Sequence, residues 1–238
     1  MPHLIQTDNC LTAWRDACRY IIHNGNGFNL LVFIRNPLNF NDAQLEEIID
    51  TAIINYKSVS DVINTIFPSK LYNRNIGLPR DDFYKLHEKL YYRGKTMHSK
   101  NKSRWGNYFL RLTRFGNSKK NQLQNIIDAI NSREKQYAAC YYMHISSVDT
   151  DNNTRVIGNP CLQYIQFGLE GDSINLTAVY RNHDFLTKAL GNYIGLSRLL
   201  EYVCEQTGKK IGTFACHSIH YFLDNKKAVE NSLNSLTW

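Results

Sequence analysis

The chain of 238 residues has no long hydrophobic run. Leu30-Leu31-Val32-Phe33-Ile34 is far shorter than the ~20 residues a membrane-spanning helix needs. The start, MPHLIQTDNC, has no cationic opening and no extended apolar core, and Asp8 interrupts it early. No secretory signal is read there, and a cytoplasmic location is expected. Cys-x-x-Cys pairs are missing: Cys10, Cys18, Cys140, Cys161, Cys204 and Cys216 are scattered. That spacing does not point to zinc, and reduced, mostly buried thiols are expected. Only 5 Pro and 13 Gly exclude a collagen-like or low-complexity chain. Acidic residues are outnumbered, 21 against 28 basic ones, for a net charge of +7. The excess favours anionic partners such as nucleotides, polyglutamates or nucleic acid, without choosing among them.

What is present is globular. Apolar residues make up 43% and aromatics 12%, enough for a substantial core. No linker, repeat or low-complexity tract divides the chain, so one domain over 1–238 is expected. DNCLTAWRDACRYIIHNG carries Leu11, Trp14, Cys18, Ile21 and Ile22 at helical spacing, with Asp8 as cap and Gly25 as stop. FNLLVFI (28–34) is a buried strand candidate. A second helix has the apolar face Leu45, Ile48, Ile49, Ala52 and Ile53, capped by Asn41, and SDVINTIF is a third. Residues 81–92 are predicted helical, 93–107 a basic loop, 108–115 a strand or short helix, and 121–131 a helix. The second half is mostly strands, at 137–145, 161–169, 174–181 and 211–222, around one helix at 185–206. A short helix closes the chain. The pattern predicts an α+β fold with a mixed or antiparallel sheet covered by helices.

Taken alone, Cys161 reads as a packed core cysteine. Its sequence neighbourhood is more specific. Arg181, Asp184 and Asn192 follow at +20, +23 and +31, and His220 stands at the end of the last strand. The segments NPCLQYIQF, YRNHD, GNYIGLSRLL and GTFACHSIHYF resemble thymidylate synthase and its relatives, the pyrimidine hydroxymethylases. A looser likeness extends through TAWRDACRYIIHNGNGFNLLVFIRNPL, NTIFP, WGNYF and NQLQNIIDAI.

The resemblance implies a thymidylate-synthase-like single domain and a homodimer. It implies that Cys161 attacks C6 of a uracil ring, and that Arg181 both favours the thiolate and contacts the nucleotide phosphate. Asn192 would read the base: its amide can accept from N3–H and donate to O4. In the family an Asn here goes with uracil and an Asp with cytosine. Asn182 stands where the family has a phosphate-binding Ser. Asp184 would fix its loop, Gln166 hydrogen-bond inside the site, and His220, ahead of His217, bind the ribose hydroxyl. The implied one-carbon donor is 5,10-methylenetetrahydrofolate.

The sequence also departs from the family. Phe222 replaces a Tyr, and no early Arg appears in HNGNGFN. Only Arg133 or Lys135 in SREKQ stands where a partner subunit's Arg pair is expected. The family's catalytic Glu has no clear counterpart among Glu47, Asp50 and Thr51, and the chain runs only 16 residues past Phe222, a shortened C-terminus.

Two readings follow. One is a divergent folate-dependent C5 methyl- or hydroxymethyl-transferase acting on a uracil nucleotide. The alternative is a catalytically inactive nucleotide-binding or sensor protein. A third class, nucleic-acid binding, rests only on Arg93, Lys95, His98, Lys100, Lys102 and Arg104 beside Tyr91, Tyr92 and Trp105. A solvated basic loop is the plainer reading of that stretch.

Overall fold

A computed structural model describes residues 2–51, 56–98, 105–132, 137–151 and 158–238. The expected positions of Ala52, Ile53, Lys100, Lys102, Arg104, Arg133 and Lys135 lie outside the described residues.

The described residues build one mixed six-stranded sheet, the α+β architecture expected. Its strands are β1 (His3–Thr7), β2 (Gly27–Ile34), β3 (Tyr141–His144), β4 (Leu162–Glu170), β5 (Ser173–Asp184) and β6 (Lys210–Phe222). Their order across the sheet is β1-β2-β6-β5-β4-β3. β1 runs parallel to β2 and β5 parallel to β6, while the other neighbours are antiparallel. β4 and β5 form the expected hairpin, with Gly171 in its turn at φ 58°, a conformation that favours glycine.

The described helices are α1 (Cys10–Asn24), α2 (Asp42–Asp50), α3 (Tyr56–Ile66), α4 (Ser69–Arg74), α5 (Arg80–His98), α6 (Tyr108–Thr113), α7 (Gln122–Ser132), α8 (Ala189–Thr207) and α9 (Lys226–Asn234). Their apolar faces cover one side of the sheet. Leu30 and Val32 of β2, Ala178 and Tyr180 of β5, and Phe214 and Cys216 of β6 are buried there. On the opposite face Leu4, Leu31, Tyr142 and Ile219 remain exposed. No helix among the described residues is long and apolar enough to cross a membrane.

Several local expectations are corrected. Asn9, not Asp8, caps α1, its side chain accepting from the Leu11 and Thr12 amides. Asp8 instead accepts from the side chains of Asn36 and Asn39. α5 continues through 93–98, where a loop is predicted, and β3 is shorter than 137–145. β1 and α4 have too few residues for a periodic signal. α8 starts at Ala189 rather than 185, because Asp184 holds a turn first. Its Oδ1 accepts from the Leu186 and Thr187 amides.

α8 is the central helix, and it lies close against α3. A Cβ on Gly191 would stand 2.7 Å from Val62 Cβ, and one on Gly195 would stand 3.1 Å from Ile66 Cβ. Glycine costs about 1 kcal/mol against alanine inside a helix. Here the two glycines, one turn apart, let the helix axes approach. That approach brings Val62 and Thr65 of α3 beside Asn192 in the wall of one cavity.

Candidate functional site

The cavity, of about 350 Å³, opens at the ends of β5 and β6, where α8 begins. Cys161, Asn182, Asp184 and Asn192 all line it, although they come from a loop, a strand and a helix. Val62, Trp105, Tyr108 and Phe222 give it apolar and aromatic walls.

Cys161 sits just before β4 and is half-buried. Its carbonyl accepts from the Arg181 amide at 2.9 Å, pinning it to β5. Tyr108, at the start of α6, is buried beneath it, and its phenolic oxygen accepts from the Leu162 amide at 3.3 Å. Burial pushes the Cys161 thiol up from its ordinary pKa, and Asp184 adds to this, while Arg181 and Lys188 pull it down. Burial wins, so the resting sulfur is a thiol. The two cations act in the direction nucleophilic chemistry needs without reaching it unaided.

Arg181 does not line the cavity. Its Nε donates to the Pro160 carbonyl at 3.0 Å and Nη2 to that of Asn159 at 3.3 Å. Its side chain lies along a smaller depression of about 140 Å³, with Asn159, Pro160 and Gln163. Beside that depression, Arg111 and Asp151 form a bidentate ion pair at 2.7 and 2.6 Å, with side chains only 9% and 8% exposed. Arg111 also donates to the Ile145 carbonyl, and Asp151 accepts from the Ser147 amide.

Asn192 is buried in the first turn of α8, and its Nδ2 lies 3.1 Å from His183 Nε2. The other ring nitrogen of His183, Nδ1, lies 2.8 Å from Ser218 Oγ. His183 and Ser218 are fully enclosed, the imidazole stacked on Tyr180 at a centroid distance of 4.1 Å. Burial pushes the His183 pKa down to about 3, so the ring is neutral.

The remaining sequence candidates are placed as follows. Asn182 lines the cavity and accepts at Oδ1 from His220 Nδ1, 2.6 Å away. His220 stands behind it, against Phe28, and does not line the cavity. Gln166 lies on the other face of the sheet: its neighbours Ile165 and Phe167 are buried, whereas it accepts from the Tyr164 hydroxyl and donates to the Ala139 carbonyl. His217 is on that face too, bonded to Asn29. Glu47 accepts from the Thr237 amide, which occupies it away from the cavity.

His183, Ser218, Tyr108 and Lys188 were not singled out by the sequence. His183 does lie inside YRNHD, and Ser218 stands two residues before His220 on β6. A buried histidine flanked by motif residues was the available signal.

No family model matches the chain. It is 30% identical over 113 residues to a protein of Methanocaldococcus jannaschii named "Putative thymidylate synthase", a match covering 46% of this chain and 51% of that one. A protein of the same name from Methanosarcina barkeri is 33% identical over 115 residues, covering 48% and 51% respectively. One from Methanococcoides burtonii is 30% identical over 101 residues, covering 42% and 45%. The chain thus spans about half the length of the curated relatives it matches, and its relationship to thymidylate-synthase-like proteins is a distant one.

Proposed function

We propose that the cavity binds a uracil nucleotide and that Cys161 adds to C6 of the ring, for one-carbon transfer to C5. The observation that carries this reading is the convergence of Cys161 and Asn192, 31 residues apart, on one aromatic-walled cavity. Sulfur addition at C6 forms a C–S bond and moves the ring's electron pair toward C5 and O4, making C5 nucleophilic. Asn192 faces the polar edge of the base, Asp184 orders the turn beneath it, and Asn182 with His220 stands toward the sugar or phosphate. Arg181 shapes the Asn159–Cys161 backbone and tempers the thiol, and its guanidinium comes within reach of the phosphate if it leaves the two carbonyls.

The wall formed by Trp105, Val62 and Phe222 suits a flat heteroaromatic ring such as the pterin of 5,10-methylenetetrahydrofolate. When bound, that cosubstrate would supply a one-carbon unit at the methylene level; addition of water gives hydroxymethyl at C5, and a hydride given up by the folate itself gives methyl. The exposed sheet face, with Leu31, Tyr142 and Ile219, supports assembly as a homodimer through the sheets. Light scattering at micromolar concentration tests this, and a monomer counts against it.

The raised thiol pKa favours one competing reading, a nucleotide-binding protein without catalysis. The deciding experiment is tritium release from [5-³H]dUMP, with and without methylenetetrahydrofolate, for the wild type and Cys161→Ala. Release that needs both folate and the thiol is the expected result. Nucleotide binding without release selects the sensor.

A further inference from the structure

A chain of hydrogen bonds leads from the cavity into the core. Asn192 Nδ2 meets His183 Nε2 at 3.1 Å, and His183 Nδ1 meets Ser218 Oγ at 2.8 Å. His183 and Ser218 are 1% and 0% exposed, so water cannot replace the bond between them.

The chain has a direction. A carboxamide nitrogen only donates, so His183 Nε2 carries a lone pair. The ring is neutral, because burial pushes its pKa down to about 3. With Nε2 accepting from Asn192, the single proton of the ring falls on Nδ1, which faces Ser218 Oγ. Tyr180 stacks on the ring at 4.1 Å and Phe185 and Tyr193 flank it, so the imidazole cannot turn to exchange its nitrogens.

That direction fixes what Asn192 offers the cavity. With one N–H committed to His183, the carboxamide presents its second N–H and its oxygen. Were the His183 proton on Nε2 instead, the carboxamide would turn over, its oxygen accepting from the ring and its nitrogen facing the other base position. The two arrangements complement different pyrimidine edges: the first fits O4 and N3–H of uracil, the second fits the N4 amino group and N3 of cytosine.

We infer that His183 is the positioning residue that sets base specificity: with Nε2 accepting from Asn192 and its proton on Nδ1, facing Ser218, it orients the Asn192 carboxamide to accept uracil and reject cytosine. The inference rests on the nucleotide reading above and adds a determinant that does not touch the ligand.

Two measurements test it. In the ligand-free wild type, long-range ¹⁵N–¹H correlation of the imidazoles reports the His183 tautomer, independently of any nucleotide. The expected pattern has Nδ1 protonated, and a proton on Nε2 overturns the inference. Calorimetric titration with dUMP and dCMP then compares the wild type with His183→Gln and Ser218→Ala. A glutamine amide can accept from or donate to Asn192, and removing the Ser218 hydroxyl takes away the partner of Nδ1. In both variants the dUMP-over-dCMP preference is expected to fall about tenfold or more, chiefly through tighter dCMP binding. Equal weakening of both nucleotides, with a lower Tm, marks a merely structural histidine and overturns the inference. So does an unchanged ratio. Should the wild type bind neither nucleotide while its tautomer is as expected, the nucleotide reading fails and takes this inference with it. Ser218→Ala keeps the test open if His183→Gln does not fold.

Discussion

The two walls of the cavity are built on opposite principles. On the Asn192 wall both ring nitrogens of His183 are paired, and the ring is enclosed and held by a stacked tyrosine. On the Cys161 wall the sulfur is half-buried, its pKa is raised, and the nearest guanidinium bonds to backbone carbonyls. The amide wall is preorganised and the thiol wall is not. A bound anion that rearranges Arg181, or expels water beside Lys188, would change the thiol far more than it changes the amide.

The sharpest way to break the contrast is to loosen the Cys161 wall. The Arg111–Asp151 pair holds the segment after β3 beside Asn159, Pro160 and Arg181. Asp151→Ala leaves a guanidinium buried without its carboxylate and is expected to cost about 3–5 kcal/mol of stability. Urea denaturation reads this directly. An Arg111→Met, Asp151→Leu double variant should recover much of the loss, since no lone charge stays buried.

On the other wall, Asn192→Leu should weaken nucleotide binding about 100-fold or more while the protein stays folded. It leaves O4 and N3–H of the base without a partner, at roughly 1–3 kcal/mol for each group. Titration calorimetry with dUMP checks this, and a change of less than threefold would remove Asn192 from the site.

The enclosed imidazoles, His183 on that wall and His87 on α5, give the protein a pH signature. Burial lowers the folded-state pKa of His183 to about 3 and that of His87, packed on Phe109, to about 4. Unfolded, each titrates near 6.5. The unfolded chain therefore binds protons first as pH falls. The stability these neutral rings represent is fully present above about pH 6.5 and is lost as pH drops toward the folded values. Each contributes a loss of about 2 kcal/mol by pH 5. His183→Gln should remove about half of that pH dependence, measured as Tm between pH 7 and pH 5.

Part of this arrangement was legible in the sequence. The alternation of 211–222 is enough to place a strand, and the likeness to family segments singles out Cys161 and Asn192, which the fold brings to one cavity. The Ile165–Gln166–Phe167 alternation also points Gln166 away from the core, although the likeness to a family strand argued for placing it inside the site. The His183 chain was not legible. Its partners lie 35 residues away on β6 and 9 away on α8, and only the parallel pairing of β5 with β6 brings them together. Nor does composition report a pKa: Cys161 is followed at +20 by an arginine, which argues for a thiolate, but the desolvation that outweighs it exists only once the chain is packed.

That last point yields the smallest effect and the most direct measure of the unprepared wall. Alkylation by iodoacetamide proceeds through the thiolate. Cys161 is raised by burial and lowered by Arg181, so its labelling rate should climb with pH through a midpoint above that of an ordinary thiol. Arg181→Met removes the lowering charge, which should move the midpoint further up and slow labelling at pH 8 a few-fold. Peptide mapping by mass spectrometry separates this sulfur from the exposed Cys140. Adding dUMP sharpens the comparison. Occupancy should protect Cys161 from alkylation in the wild type and leave the Cys140 rate unchanged. If Cys161 is labelled as fast with dUMP as without it, the two walls do not share a ligand.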